Sequence, residues 1–223
     1  MTFTDFVRAP NIANNPSMYE RENQAIDRSG TLWAALLATA DWTGRTIVDL
    51  GCGTGFWLPR YEPLAAAVIG VEPDETLRPG SALAGSAEHI PLPDNSVDVI
   101  HARFAYFFPP GCDAGLAEAL RVLRPGGSLV VIDNDLVNGE FATLLRSSPW
   151  AAPQGTAEVT NAWWAERNAT RTEVMSSWDC ETAAELEAIL RLEFPSDLID
   201  SWVSAHPGRT SISYGYILFS VVK

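Results

Sequence analysis

The residues best suited to chemistry form one short stretch, Asp49-Leu50-Gly51-Cys52-Gly53-Thr54-Gly55, where an acid precedes three glycines at alternate positions. Glycine is needed where a backbone takes positive φ or lies against a ligand. Such a turn offers bare main-chain groups to a bound molecule, which is the chemistry of recognition. Asp49 suits two roles there: capping the turn at a strand end, or facing a cationic group of a ligand. Cys52 has no histidine near it in sequence, so it reads as a small buried residue and not as a nucleophile. His101 falls inside an apolar run and reads as a satisfied core histidine. Asp133, Asn134 and Asp135 cluster after another apolar run, and suit either turn chemistry or the orientation and deprotonation of a nucleophile. Cys52, Cys112 and Cys180 show no metal-ligand spacing, so reduced thiols and no metal are expected.

The elements that must position these residues alternate between strand and helix. Thr46 to Leu50 reads as a buried strand that ends in the glycine turn, and a short helix follows Gly55 and stops near Pro63. Ala66 to Val71 is a second strand closing in Glu72-Pro73, Ala82 to Ser86 a weak third, and Val97 to Ala102 a fourth. Asp113 is expected to cap a helix with Leu116, Ala119, Leu120 and Leu123 on one face, stopped by Pro125-Gly126-Gly127. Ser128 to Ile132 is a fifth strand. Ahead of all these, residues 1 to about 20 read as an irregular arm, and Glu22 to Ala40 as partly helical with Leu32, Leu36 and Leu37 on one face. Residues 136–170 have weaker periodicity and carry Trp150, Trp163 and Trp164, the last two expected to pack as a pair. A strand near Thr172 to Trp178, a helix opened by a capping box of Thr182 and Glu185, a short helix from Ser196 to Ser204 and a strand from Ile212 to Val222 follow.

Short crossovers of this kind imply an α/β chain with a mainly parallel sheet and helices on both faces. Ligands of such sheets bind beyond the carboxyl ends of the strands, at the switch point of the winding. Gly51 to Gly55, Glu72, Ser86 to Glu88, Ala102 to Tyr106 and Asp133 to Asp135 all fall there.

Composition narrows the partners. With 47% hydrophobic residues the 223-residue chain reads as globular over most of its length. Its net charge of −13 argues against a nucleic-acid backbone or an anionic membrane surface, both of which call for Lys and Arg. The N-terminus is polar where a signal peptide needs an apolar core, and no run is long and apolar enough to cross a bilayer, so a cytoplasmic protein is expected.

In order and spacing, residues 18 to 134 resemble class I S-adenosylmethionine-dependent methyltransferases, and most of all the bacterial small-molecule enzymes of the ubiquinone/menaquinone-biosynthesis-like group (methyltransferase type 11 domain). The resemblance implies a Rossmann-like, doubly wound sheet of about seven strands with helices on both faces and an antiparallel last strand. It also implies one domain over 1–223, with an N-terminal arm and helix (1–42), a cofactor-binding core (43–135), a substrate lid (136–170) and C-terminal strands and helices (171–223). In such relatives the turn corresponding to Asp49, Gly51, Cys52, Gly53 and Gly55 hugs the methionine end of the cofactor. Glu72 matches the acid that accepts from the ribose hydroxyls, and Pro73 would pack near the adenine. Ser86-Ala87-Glu88 stands where relatives carry an acid, an alanine and a variable residue. The usual acid binds the adenine amino group, so the Ser86 hydroxyl, the Ala87 backbone or Glu88 must substitute here. Tyr19 resembles a tyrosine that covers the cofactor carboxylate, its other reading being a surface aromatic. Ala102, Arg103 and the residues to Phe108 match the floor near the reacting methyl, with Tyr106 either bonding substrate or packing in the core. The segment between Glu72 and Ser86 is short, so the second helix is expected to shrink to a turn. Phe107-Phe108-Pro109-Pro110 is similar to the Pro-Pro tetrad of nucleic-acid amino methyltransferases, but Phe107 cannot accept amino hydrogens and the segment reads as a loop.

The implied function is methyl transfer from S-adenosylmethionine, leaving S-adenosylhomocysteine, to a small-molecule acceptor. No catalytic base, acceptor atom or oligomeric state follows from the pattern. Two other readings stay open at this point. One is a cofactor-binding protein without turnover, which the unusual Ser86 admits. The other is a nicotinamide-dependent oxidoreductase, whose fingerprint wants a glycine where Phe56 stands.

Overall fold

The computed structural model describes residues 3–6, 15–148 and 156–223, which leaves Trp150 outside the described residues. Its helices are α1 (Pro16–Ala25), α2 (Thr31–Leu37), α3 (Leu58–Tyr61), α4 (Asp113–Val122), α5 (Glu140–Ser147), α6 (Ala157–Glu166), α7 (Ala183–Glu193) and α8 (Ser196–Ala205). Its strands are β1 (Thr46–Leu50), β2 (Ala67–Glu72), β3 (Leu83–Ala84), β4 (Val97–Arg103), β5 (Leu123–Asn134), β6 (Thr170–Asp179) and β7 (Ser211–Val222). They form one seven-stranded sheet in the order β3-β2-β1-β4-β5-β7-β6. The first five strands pair in parallel, and β7 runs antiparallel between β5 and β6. The winding reverses between β1 and β4, so their carboxyl ends flank the switch point.

Alternation along the strands divides the core into two layers. Ile47, Val99, Val130 and Leu218 point to one face, where Leu32 and Leu36 of α2 and Leu186, Ile189 and Leu190 of α7 cover them. Val48, Ile100, Leu129 and Phe219 point to the other, against Leu116, Ala119 and Val122 of α4 and the Trp163–Trp164 pair of α6. Both tryptophans are buried, with rings 4.8 Å apart in an edge-to-face contact, and Trp164 stacks on Phe219 at 5.1 Å. Each fully buried aliphatic side chain contributes roughly 1.5–3 kcal/mol, so the sheet that carries the switch point is held from both sides.

Several local expectations need correction. Helix α1 begins inside the segment read as an irregular arm, because the Asn15 side chain accepts from the Met18 N–H and proline occupies the first turn. Cys112, not Asp113, precedes α4; Asp113 is its first residue and contributes only a favourable charge in the first turn. That helix ends at Val122, and Leu123 already pairs with Val97. The register then slips to Val99 opposite Ser128, so the Arg-Pro-Gly-Gly segment is an irregular opening of β5 and not a helix stop. The chain's last residue closes it: Gly126 N–H donates to the Lys223 carbonyl at 3.0 Å and Lys223 N–H to the Gly127 carbonyl at 2.9 Å. The third strand shrinks to Leu83–Ala84. At α7 the Thr182 hydroxyl accepts from Glu185 N–H at 3.1 Å as expected, but the Glu185 carboxylate reaches Glu181 N–H and not Thr182. Between β2 and β3 the described chain makes turns and no helix.

Candidate active site

A cavity of about 480 Å³ opens beyond the carboxyl ends of β1, β2 and β4, within the size range of small-molecule sites. The glycine turn forms its base. Gly51, Gly53 and Gly55 all have positive φ, at 75°, 55° and 81°. Gly51 is the position where no side chain fits: a Cβ there would stand 2.6 Å from the Cβ of Ala105. The turn is tied to β2, since Gly51 N–H and Cys52 N–H both donate to the Val71 carbonyl, at 2.8 and 3.2 Å.

Glu72 locks the turn from the end of β2. Its carboxylate accepts from Gly53 N–H at 2.8 Å and from Asp74 N–H at 2.9 Å while facing the cavity. Burial raises its pKa against those two bonds. Asp49 lies beneath the turn, 4% exposed, and burial pushes its carboxyl up to about 6, partly offset by Arg103. The Arg103 guanidinium lines the cavity; it donates to Asn23 of α1 at 3.0 Å and stacks 4.4 Å over the Trp57 ring. Tyr19, also from α1, lines the cavity, its phenol pushed up to about 12 by burial.

Of the residues singled out from the sequence, Tyr19, Gly51, Gly53, Glu72, Pro73, Ala87 and Arg103 line this cavity. Asp49, Cys52, Gly55, Ser86, Glu88 and Ala102 stand behind or beside it. Ala102 is buried in the sheet, and the Cys52 thiol is raised by burial, with no histidine among its contacts. Ser86 donates to Asp5 of the N-terminal segment. Glu88 accepts from the Tyr106 hydroxyl at 2.7 Å, and that hydroxyl also takes the Gly115 N–H at 3.1 Å. Tyr106 is thus anchored by its oxygen while its ring lines the cavity. Its ring passes where a Gly115 side chain would be, 2.2 Å from a Cβ built there.

His101 is fully buried, bonds the Tyr61 hydroxyl at 2.6 Å, and is held down to about 3 by burial, which fits a core residue. Asp135 spends its carboxylate on the N–H groups of Val137 and Asn138, which is turn chemistry. Asp133, raised by burial to about 7, lines a separate 20 Å³ cavity with Thr160 and Asn161. Sequence reasoning did not single out Asp5, Phe6, Asp74 or Leu77, which also line the large cavity. Only Asp74 left a trace in sequence, as the residue after Glu72-Pro73. Phe104 and Tyr106 take positive φ of 50° and 60°, a bend that no sequence motif announces.

The doubly wound sheet, the glycine turn at its switch point and the acid at the end of β2 that locks that turn form the arrangement expected from the resemblance to class I S-adenosylmethionine-dependent methyltransferases. Residues 48–131 match the family model described as a methyltransferase domain. The chain is 31% identical over 125 residues to the malonyl-[acyl-carrier protein] O-methyltransferase of Yersinia pestis, covering 52% of this chain and 45% of that protein. It is 34% identical over 123 residues to an uncharacterized methyltransferase of Mycobacterium tuberculosis, covering 50% and 47%. The chain therefore spans about half the length of these curated relatives. Among solved structures, a SAM-dependent methyltransferase from Aquifex aeolicus superposes with a TM-score of 0.54 at 16% identity, over 93% of this chain and 99% of that one. The YcgJ protein of Bacillus subtilis gives 0.55 at 19% identity, over 85% and 97%. Those two likenesses are likenesses of fold.

Proposed function

We propose that the protein transfers the methyl group of S-adenosylmethionine to a small-molecule acceptor in the cytoplasm, without a nucleic-acid or membrane partner. The observation that carries the reading is Glu72, which holds Gly53 N–H at 2.8 Å and still faces the cavity. One carboxylate thereby shapes the main-chain cradle and presents acceptor lone pairs to vicinal hydroxyls. The bound cofactor supplies a methyl carbon already made electrophilic by its sulfonium. What remains for the protein is to hold donor and acceptor in line, a source of rate that needs no obligatory base.

In this reading Gly51 and Gly53 let the cofactor lie against the backbone. Asp49 attracts its cationic end, while Arg103 and Tyr19 meet its carboxylate. Phe104, Tyr106 and Phe108 line the same cavity and suit an apolar or aromatic acceptor. The segment 136–170 stands in this reading as the lid on the acceptor side of a single domain, although among its described residues none lines the cavity and Trp163 and Trp164 of α6 pack against the sheet. Its Phe141 stacks on Tyr214 at 3.8 Å, and Tyr214 on Phe104 at 6.3 Å, so α5 connects to the cavity through rings. Phe56 packs against the core where a nicotinamide fold needs a third glycine, which favours this reading over an oxidoreductase.

Isothermal calorimetry tests it. Wild-type protein should bind S-adenosylhomocysteine, and Glu72→Ala should weaken that binding about tenfold or more, well beyond the effect of Glu88→Ala. No heat with wild type, or the reverse order of the two variants, contradicts the reading.

A further inference from the structure

We propose that Asp5, brought in by the N-terminal segment, recognises the exocyclic amino group of the cofactor's nucleobase. The proposal rests on the cofactor reading above and adds to it a residue outside the matched domain.

The argument starts from an exchange of side chains. Position 86 holds a serine, 1% exposed and rigidly placed beside the cavity wall at Ala87. A hydroxyl there is too short and too weak an acceptor to read an amino group strongly. Its proton, however, is already committed: the Ser86 hydroxyl donates to Asp5 Oδ2. Asp5 itself lines the cavity, and its side chain is only 13% exposed. His89 Nδ1 stands 3.6 Å from the same oxygen. Burial is the largest influence on the Asp5 carboxyl and would raise it, but the bonds from Ser86, its own backbone N–H and His89 together outweigh it and keep the group below its ordinary range. Asp5 is thus an ionised, acceptor-only group fixed at the edge of the cavity.

Its place relative to Glu72 selects the ligand. The two carboxylates line one cavity, with Pro73, Leu77 and Ala87 supplying apolar wall and Phe6 an aromatic one. An apolar slot with the Asp5 carboxylate at its rim fits a flat heteroaromatic ring that carries an amino group. Glu72 serves the sugar. The carboxylate that position 86 lacks is delivered from 81 residues away. Phe6 comes with it, so recognition of the base and its covering from water are one event.

The test is calorimetry on the full chain with two ligands: S-adenosylhomocysteine, and its analogue with hydrogen in place of the 6-amino group. Wild type should prefer the amino ligand by about tenfold, the scale of one hydrogen bond to a charged group. Asp5→Ala should abolish the preference by weakening only the amino ligand, and Asp5→Asn should keep part of it through its carbonyl. Ser86→Ala, which leaves the carboxylate unanchored, should reduce the preference while binding of the analogue holds. Thermal melting of each variant monitors the fold. An Asp5→Ala protein that keeps the full preference overturns the assignment and leaves the cofactor reading intact. Equal loss of both ligands in that variant also overturns it, since Asp5 would then support the fold and not read the base. Wild type that binds neither ligand overturns the cofactor reading, and this proposal with it.

Discussion

Asp49 lies 4% exposed beneath the glycine turn, with its carboxyl raised to about 6 by burial. A raised value means that the folded chain keeps a proton which the unfolded chain has already released. The contribution of Asp49 to stability is therefore full below about pH 4 and is lost as pH rises through about 6. Asp49→Asn removes the ionisation but keeps the shape. At pH 7.5 the ligand-free variant should be more stable than wild type, by about 3 kcal/mol at most, and the gain should shrink towards pH 4. The same variant should bind S-adenosylmethionine more weakly, because the buried charge is then missing where the ligand's cationic end would meet it. Denaturant unfolding at the two pH values, paired with calorimetry, measures both effects. A variant less stable than wild type at pH 7.5 would show that the carboxylate is already satisfied by Arg103. Asp49 was legible in sequence because it stands at a strand end before glycines. Asp5 was not, because nothing local distinguishes it and its meaning comes from Ser86 across the fold.

Elements were legible where periodicity and punctuation agree. The cores of β1, β2, β4 and β7 are apolar runs ended by acids, glycines or polar turns, and they formed as read. Reading failed where long-range pairing overrides local signals. Pro125-Gly126-Gly127 looks like a helix stop, yet Lys223 just past the end of β7 bonds it into the opening of β5. The start of α2 was hidden for a similar reason. Gly30 precedes that helix without a capping side chain, and the cap comes from Asp27 in the preceding turn. The Asp27 carboxylate takes Leu32 N–H at 2.8 Å, Trp33 N–H at 2.9 Å and the Ser176 hydroxyl of β6 at 2.6 Å. It is 1% exposed, so its removal leaves buried donors without acceptors. Asp27→Ala should destabilise the protein by about 3 kcal/mol and lower Tm by roughly 6–12 °C. Calorimetric melting checks this; an unchanged Tm would mean that water replaces the lost carboxylate. Because α2 shares the layer of Trp57, which carries Arg103, weaker cofactor binding should accompany the loss.

Across the whole molecule the charge balance of −13 acts on any ion that approaches. Around the cavity the imbalance persists: Asp5, Glu72 and Asp74 line it and Asp49 lies beneath, against the single cation Arg103 among the described lining residues. A concave site with low-dielectric walls focuses such a field. S-adenosylmethionine carries one net positive charge near neutral pH, and S-adenosylhomocysteine, lacking the sulfonium, carries none. Both make the same neutral contacts, so their difference isolates the field. At low ionic strength the protein should favour the charged donor over the spent product, which suits an enzyme that must release product before it reloads. Added salt shortens the screening length from about 30 Å at 0.01 M to about 3 Å at 1 M. Affinity for S-adenosylmethionine should then fall about threefold or more, while affinity for S-adenosylhomocysteine stays nearly constant. Parallel calorimetric titrations of the two ligands across that range measure the slopes. Equal slopes would mean that the acidic surface acts on solubility alone, and that discrimination between donor and product must come from contacts made at the sulfur.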